Sequence, residues 1–156
     1  MIYIRGIGEE EGCIFCKKPQ ENEDEKNLIL YRGKTCFVLM NLFPYNSGHL
    51  MIAPYRHIGN FVDLRKEEGI ELFKLLQWSL NILKKVLNPD GFNVGLNIGR
   101  TAGAGYEDHL HIHIVPRWNG DTNFMPVIAD TKVIPEFLEE TYKQLRPSFE
   151  ELKKST

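Results

Sequence analysis

The sequence predicts an α+β domain: an antiparallel sheet of about five strands, one long helix and a C-terminal helix. Three observations carry this. Short apolar runs crowd the middle of the chain, joined by turns too short for the crossover that a parallel strand pair needs. A single stretch, about 64 to 87, repeats apolar residues every three or four positions. The run His109-Leu110-His111-Ile112-His113-Ile114-Val115 alternates imidazole with aliphatic side chains, which is the period of a strand.

Taken in order, residues 17 to 27 (KKPQENEDEKN) are the most polar run and read as a solvated loop. Leu28-Ile29-Leu30-Tyr31 and Cys36-Phe37-Val38-Leu39-Met40 read as strands joined by a turn at Arg32-Gly33-Lys34. Pro44-Tyr45-Asn46-Ser47-Gly48 is turn chemistry, and His49 to Ala53 makes a third strand stopped by Pro54. Asp63 is placed to cap a helix from Leu64 to Leu87, with Phe73, Leu76, Leu80, Leu83 and Leu87 on its apolar stripe and Trp78 off it. Asn88-Pro89-Asp90-Gly91 ends that helix. Phe92 to Gly99 alternates as a fourth strand, and a Gly/Ala-rich loop, Arg100 to Asp108, leads into the histidine strand. Pro135 can start a second helix, about Pro135 to Leu145.

The chain has 156 residues, enough for one domain with a real core. A net charge of −2 without a basic block argues against a nucleic-acid partner, so an anionic ligand must be held by local groups. No apolar run approaches the ~20 residues of a membrane span. Residues 1 to 8 lack the apolar core of a signal peptide. Three cysteines, two of them in one Cys-x-x-Cys, suit a reducing cytoplasm better than a disulfide framework.

The histidines carry the chemistry. On a strand, His109, His111 and His113 share one face, with neighbours about 6–7 Å apart, while Leu110, Ile112 and Ile114 face a core. Imidazole serves as nucleophile, acid, base or metal ligand near neutral pH. The remaining histidines, His49 and His57, each follow a turn, where an ordinary hydrogen-bonded histidine is also common. Cys13-Ile14-Phe15-Cys16 has metal-knuckle spacing but is open between zinc, redox and no function. A redox motif is expected near a βαβ unit, and a loop and β-meander follow instead. Zinc needs two further ligands, for which His57 and one end of the triad are available.

With these residues in place, the chain resembles the histidine-triad superfamily of nucleotide hydrolases and transferases. Its pattern, His-φ-His-φ-His-φ-φ with φ apolar, is matched by His109 to Val115 without departure. Asn41 to His49 (NLFPYNSGH) is similar to the family's nucleoside-binding segment, and Cys13, Cys16 and His57 stand where zinc-containing members carry ligands. Asn93 to Gly99, Val115 to Phe124 and Lys132-Val133-Ile134-Pro135 look like the bacterial diadenosine tetraphosphate phosphorylases, a branch related to Fhit-type dinucleoside polyphosphate hydrolases. Fhit-type members carry a Gln in the loop before the triad, where this chain has Ala104-Gly105-Tyr106.

The resemblance implies cleavage of a dinucleoside polyphosphate at the α-phosphate through a nucleotidyl-histidine, with phosphate or water as acceptor. It assigns His111 as nucleophile, His113 to the developing charge, and His49 as a partner of the triad, unless His49 is only structural. Asn41 would bind the ribose. Asn97 or Asn93 and the loop Gly103, Ala104 and Gly105 would contact phosphate. Trp118 would stack on a base or, equally, cover the sheet edge or a subunit contact. Cys13, Cys16, His57 and His109 would hold a structural zinc; no organic cofactor is expected. A homodimer in the cytoplasm is implied, with residues 1–156 forming one domain: an N-terminal segment 1–27 with the knuckle and a core 28–149. The rivals are a Hint-type nucleoside phosphoramidate hydrolase and a nucleotide-binding module with little turnover.

Overall fold

The computed structural model describes residues 12–122 and 137–154, so the expected helix start at Pro135 and the run Lys132 to Pro135 lie outside the described residues. The knuckle, read as loop, opens a single helical turn, α1 (Ile14–Lys17). Then follow β1 (Ile29–Arg32), β2 (Cys36–Met40), β3 (Leu50–Pro54), α2 (Lys66–Leu87), β4 (Gly91–Leu96), β5 (Ile112–Arg117) and α3 (Leu138–Lys154). The five strands form one antiparallel sheet in the order β1-β2-β3-β5-β4, as expected from the short connections.

The sheet has two differently used faces. Leu30, Val38, Met40, Leu50, Ile52, Ile112 and Ile114 pack against Leu72, Leu75, Ile82 and Leu83 of α2 and Tyr142, Leu145 and Phe149 of α3. On the other face Ile29, Phe37, Leu39, Met51 and Ala53 gather around Phe15 of α1. Both faces of β2 and β3 are therefore covered, which is why these strands read as continuous apolar runs. The face covered by the small cluster also bears the histidines.

Three sequence expectations are corrected. Asp63 does not cap α2; it closes a short 3-10 turn (Phe61–Asp63). The cap position is Arg65, whose N–H donates to the Glu68 carboxylate at 2.8 Å. The buried stripe is also rotated from the expected one: Leu72, Leu75, Ser79, Ile82 and Leu83 face the sheet, whereas Phe73 is 64% exposed. Two inward carboxylates set this rotation. Glu68 pairs with Arg56 at 2.7 Å. Glu71 accepts from the backbone N–H groups of Lys34, Thr35 and Cys36 and from the Thr35 hydroxyl. Trp78 is drawn against the core, edge-on to Tyr31 at 5.9 Å. Finally, α3 runs on through Pro147 to Lys154, because Phe149 is fully buried and Arg146 reaches back to the Ile29 carbonyl. Pro147 has no N–H to bond the carbonyl of Lys143, which lies at an exposed position.

Because Glu71 closes the β1–β2 turn with four hydrogen bonds, Glu71→Ala should cost about 3 kcal/mol of stability. A urea titration checks this; a loss under about 0.5 kcal/mol would contradict it.

Candidate active site and metal cluster

β3 and β5 bring two histidine segments side by side. Met51 pairs with His113 in the ladder, and His49 immediately precedes β3. Gly48 makes this entry possible: its φ is +75°, and a Cβ there would lie 2.5 Å from a Leu87 methyl. Asn46 fastens the same turn to the end of β5, donating to the Pro116 carbonyl at 2.9 Å and to Asp121 at 2.7 Å. The Arg117 guanidinium beside Asp121 holds that carboxyl well below the usual range.

The triad is not wholly on a strand as the alternation predicts. Only His113 lies in β5; His109 and His111 precede it in an extended segment tied by Leu110 N–H to the Ile58 carbonyl. The alternation nevertheless persists. The His111 and His113 rings are 4.7 Å apart, and the Phe15 ring lies 5.1 Å from His109 and 4.6 Å from His111. Ile112 and Ile114 point into the helix-covered core.

Hydrogen bonds assign the ring protons. His49 Nδ1 accepts the Tyr45 N–H at 3.1 Å, so its Nε2–H donates to His113 Nδ1 at 2.9 Å. His113 is thereby left with Nε2–H as its remaining donor. His111 Nδ1–H donates to the His109 carbonyl at 2.7 Å, which leaves the lone pair on Nε2. His109 Nε2–H donates to the Pro54 carbonyl at 2.9 Å, which turns the Nδ1 lone pair toward the knuckle. One site thus holds a lone pair for attack, a donor for negative charge, and a separate imidazole committed elsewhere.

Burial keeps these rings neutral. Desolvation, with the neighbouring His113 and His111, lowers His49 to about 3; desolvation, with His111, lowers His113 to about 4; burial also lowers His111. An unfolded histidine titrates near 6.5, so below that pH the unfolded chain binds more protons. Stability from these groups is complete above about pH 6.5 and is lost as pH falls toward about 3–4. Urea unfolding at pH 7 and pH 5 should therefore show a smaller loss for His49→Gln than for the wild type. Equal losses would contradict the assignment.

A cavity of about 350 Å³ opens beside His113, lined by Tyr45, Asn93, Asn97 and Arg117 among others. Asn97 donates to the Gly103 carbonyl at 3.3 Å, so it links the cavity to the glycine loop. In that loop the N–H groups of Gly103 and Ala104 bond the carbonyls of Arg100 and Gly99, while Gly105 is exposed. Asn41 holds its own turn, accepting the Phe43 N–H at 3.0 Å and lying 3.4 Å from His49 Nδ1. Trp118, half-buried just beyond β5, does not line the cavity. Sequence reasoning gave no role to Phe15, Tyr45 or Arg117. Tyr45 and Arg117 stand inside segments that carry the resemblance, and Phe15 stands between the two knuckle cysteines.

Cys13, Cys16, His57 and His109 converge, with one ligand atom from each lying within 4.8 Å of the others. The contacts Cys13 Sγ–His109 Nδ1 and His57 Nδ1–His109 Nδ1 are 3.2 Å, Cys16 Sγ–His57 Nδ1 is 3.4 Å, and Cys16 Sγ–His109 Nδ1 is 3.6 Å. A tetrahedral zinc with bonds of about 2.1 Å to nitrogen and 2.3 Å to sulfur spaces its ligand atoms about 3.4–3.8 Å apart. The set fits such an ion with small adjustment, and these four residues could hold a metal. Burial and the adjacent Cys13 thiol push Cys16 up to about 11, a cost that a bound cation reverses.

Known proteins match this geometry. The chain matches the HIT domain over residues 22–120. It is 46% identical over 131 residues to a Mycobacterium tuberculosis protein named AP-4-A phosphorylase, covering 84% of this chain and 67% of that one. It is 33% identical over 136 residues to a Dictyostelium discoideum bis(5′-adenosyl)-triphosphatase, covering 82% and 89%. A hypothetical histidine triad nucleotide-binding protein from Sulfolobus tokodaii superposes with a TM-score of 0.71 at 29% identity, over 90% of this chain and 94% of that one. A zinc-bound histidine triad family protein from Mycobacterium smegmatis shares the fold, with a TM-score of 0.72 at 23% identity over 93% and 98%. Sheet order, the unbroken triad and a domain match spanning both histidine segments agree: the chain belongs to the histidine-triad (HIT) family.

Proposed function

We propose that this chain is an enzyme that cleaves dinucleoside polyphosphates, diadenosine tetraphosphate foremost, by nucleotidyl transfer through His111. The observation that carries the reading is the tautomer pair: His111 keeps its Nε2 lone pair while His113, beside it and lining the cavity, keeps Nε2–H as its remaining donor. His111 Nε2 attacks the α-phosphorus, the bond from phosphorus to the bridging oxygen breaks, and the remaining phosphates leave. Positive charge on the imidazole is taken up by the Nδ1–H bond to the His109 carbonyl. His113 Nε2–H stabilises the charge on the phosphoryl or leaving oxygen, and His49 keeps His113 in the donor tautomer. Phosphate or water then attacks the nucleotidyl-histidine, releasing a nucleoside diphosphate or monophosphate and restoring His111. Similarity to the tuberculosis phosphorylase puts phosphate first. We assign Asn97, Asn93 and the loop Gly103 to Gly105 to phosphate and Asn41 to ribose; Trp118, which does not line the cavity, is left between a nucleoside contact and a cover for the sheet edge or a subunit contact.

Zinc is the metal this reading assigns to Cys13, Cys16, His57 and His109. These four residues would supply all the ligands of a tetrahedral ion, so its role would be structural, holding the N-terminal segment beside the triad. Residues 1–156 act as one domain with its core in 28–149. β4 ends the sheet with Val94 exposed, and we assign that edge to a homodimer contact. Three free cysteines fit a reducing cytoplasm, and no described helix is long and apolar enough to cross a membrane.

Product analysis tests the activity. Incubated with diadenosine tetraphosphate, the protein should form ADP plus ATP when phosphate is present. AMP plus ATP with or without phosphate would make it a hydrolase. Binding without any cleavage of adenylylated compounds would sink the enzyme reading.

A further inference from the structure

Phe15 has no part in the chemistry above, yet its ring is 1% exposed and lies against the nucleophile. It stacks on His111 with ring centres 4.6 Å apart and planes 28° from parallel. The ring also lies 5.1 Å from His109 and receives Tyr106 of the glycine loop edge-on at 5.8 Å. Among the described hydrogen bonds, His111 is held at the ring by Nδ1–H to the His109 carbonyl. One hydrogen bond fixes a direction but leaves the ring free to turn about it. A stacked ring fixes the plane.

Both restraints lead to the metal cluster. His109, which supplies the carbonyl, is one of the four converging residues, and Phe15 sits between two others, Cys13 and Cys16. The turn that presents Phe15 is short: Cys16 and Lys17 N–H both bond the Cys13 carbonyl, and α1 is four residues long. So short a helix has little stability of its own. Packing against Ile29, Phe37, Leu39 and Met51 holds the ring, and side-chain ligation at Cys13 and Cys16 would fix the turn that delivers it there.

We propose that Phe15 is a positioning residue for His111, and that the metal cluster governs the nucleophile's orientation through it. The proposal rests on His111 being the nucleophile. The cluster contributes no charge to the reaction; it sets the angle at which the Nε2 lone pair meets phosphorus. Misplacement of a reacting group by about 1 Å can cost roughly 100-fold in rate.

Phe15→Leu keeps apolar bulk and removes the ring. It should retain metal and leave KM unchanged while lowering kcat about 10- to 100-fold. In the NMR spectrum, the His111 ring protons should lose the upfield shift that the Phe15 ring imposes, and the His111 ring nitrogens should move toward the average of the two tautomers. Unchanged kcat and unchanged His111 resonances, with metal retained, would overturn the proposal. If Phe15→Leu does not fold, chelating the metal from the wild-type protein provides the second reading. The same His111 resonances should shift, and their constancy would equally overturn the proposal. These spectra need no turnover, so they stand apart from the nucleophile assignment: activity surviving in His111→Asn sinks that assignment whatever the spectra show.

Discussion

Replacing His111 by asparagine is expected to lower kcat at least about 10⁴-fold, some 5.5 kcal/mol of transition-state stabilisation, while leaving nucleotide affinity within a few-fold of the wild type. The asparagine amide can still occupy the space beside Phe15 and donate to the His109 carbonyl, so the pocket keeps its shape. It has no nitrogen lone pair to attack phosphorus. On the proposed reading His113 and the loop would still contact the phosphates, so binding should survive. Steady-state kinetics with diadenosine tetraphosphate, paired with calorimetric titration of a nucleotide, separates the two quantities. A fall in kcat below about 10-fold would move the nucleophile to another residue. A parallel collapse of affinity would mean that His111 shapes the pocket and does no chemistry.

Removing the two cysteines of the proposed metal site should have the largest effect on stability. Cys13→Ser with Cys16→Ser is expected to abolish tight zinc binding and lower Tm by about 10 °C, several kcal/mol for a domain of this size. The loss is not global unfolding, because the α2 and α3 face of the sheet is packed without any contribution from the knuckle. What is released is the N-terminal turn, with Phe15, from the cluster around Phe37, Leu39 and Met51. Metal analysis and differential scanning calorimetry on the same samples check this. Unchanged Tm with the metal gone would show that the ion does not hold the segment.

Much of this was legible beforehand because period-two and period-3.6 patterns survive folding. The strands β1 to β4 and the span of helix α2 stand close to where alternation and the apolar stripe put them, while the face α2 buries and the start of β5 do not. The triad shares a face although its first two members lie outside the ladder, since extended backbone alternates with or without a partner strand. What escaped the sequence depended on contacts distant along the chain. The rotation of α2 follows from Glu71 reaching the turn at Lys34 to Cys36 and from Glu68 reaching Arg56, and no local pattern reports either. The length of α3 follows from Phe149 in the core on the far side of Pro147. The proton positions on His49, His111 and His113 depend on the Tyr45 N–H and the His109 carbonyl, which spacing does not reveal.

Covalent catalysis at His111 leaves an adduct that can be trapped. Enzyme mixed with diadenosine tetraphosphate, with phosphate withheld, is quenched under alkaline conditions that preserve phosphoramidates, digested and examined by mass spectrometry. The peptide bearing His111 should carry one adenylyl group, removed by mild acid and absent from His111→Asn. Turnover with no adduct at any time point, or an adduct on a different residue, would contradict the account.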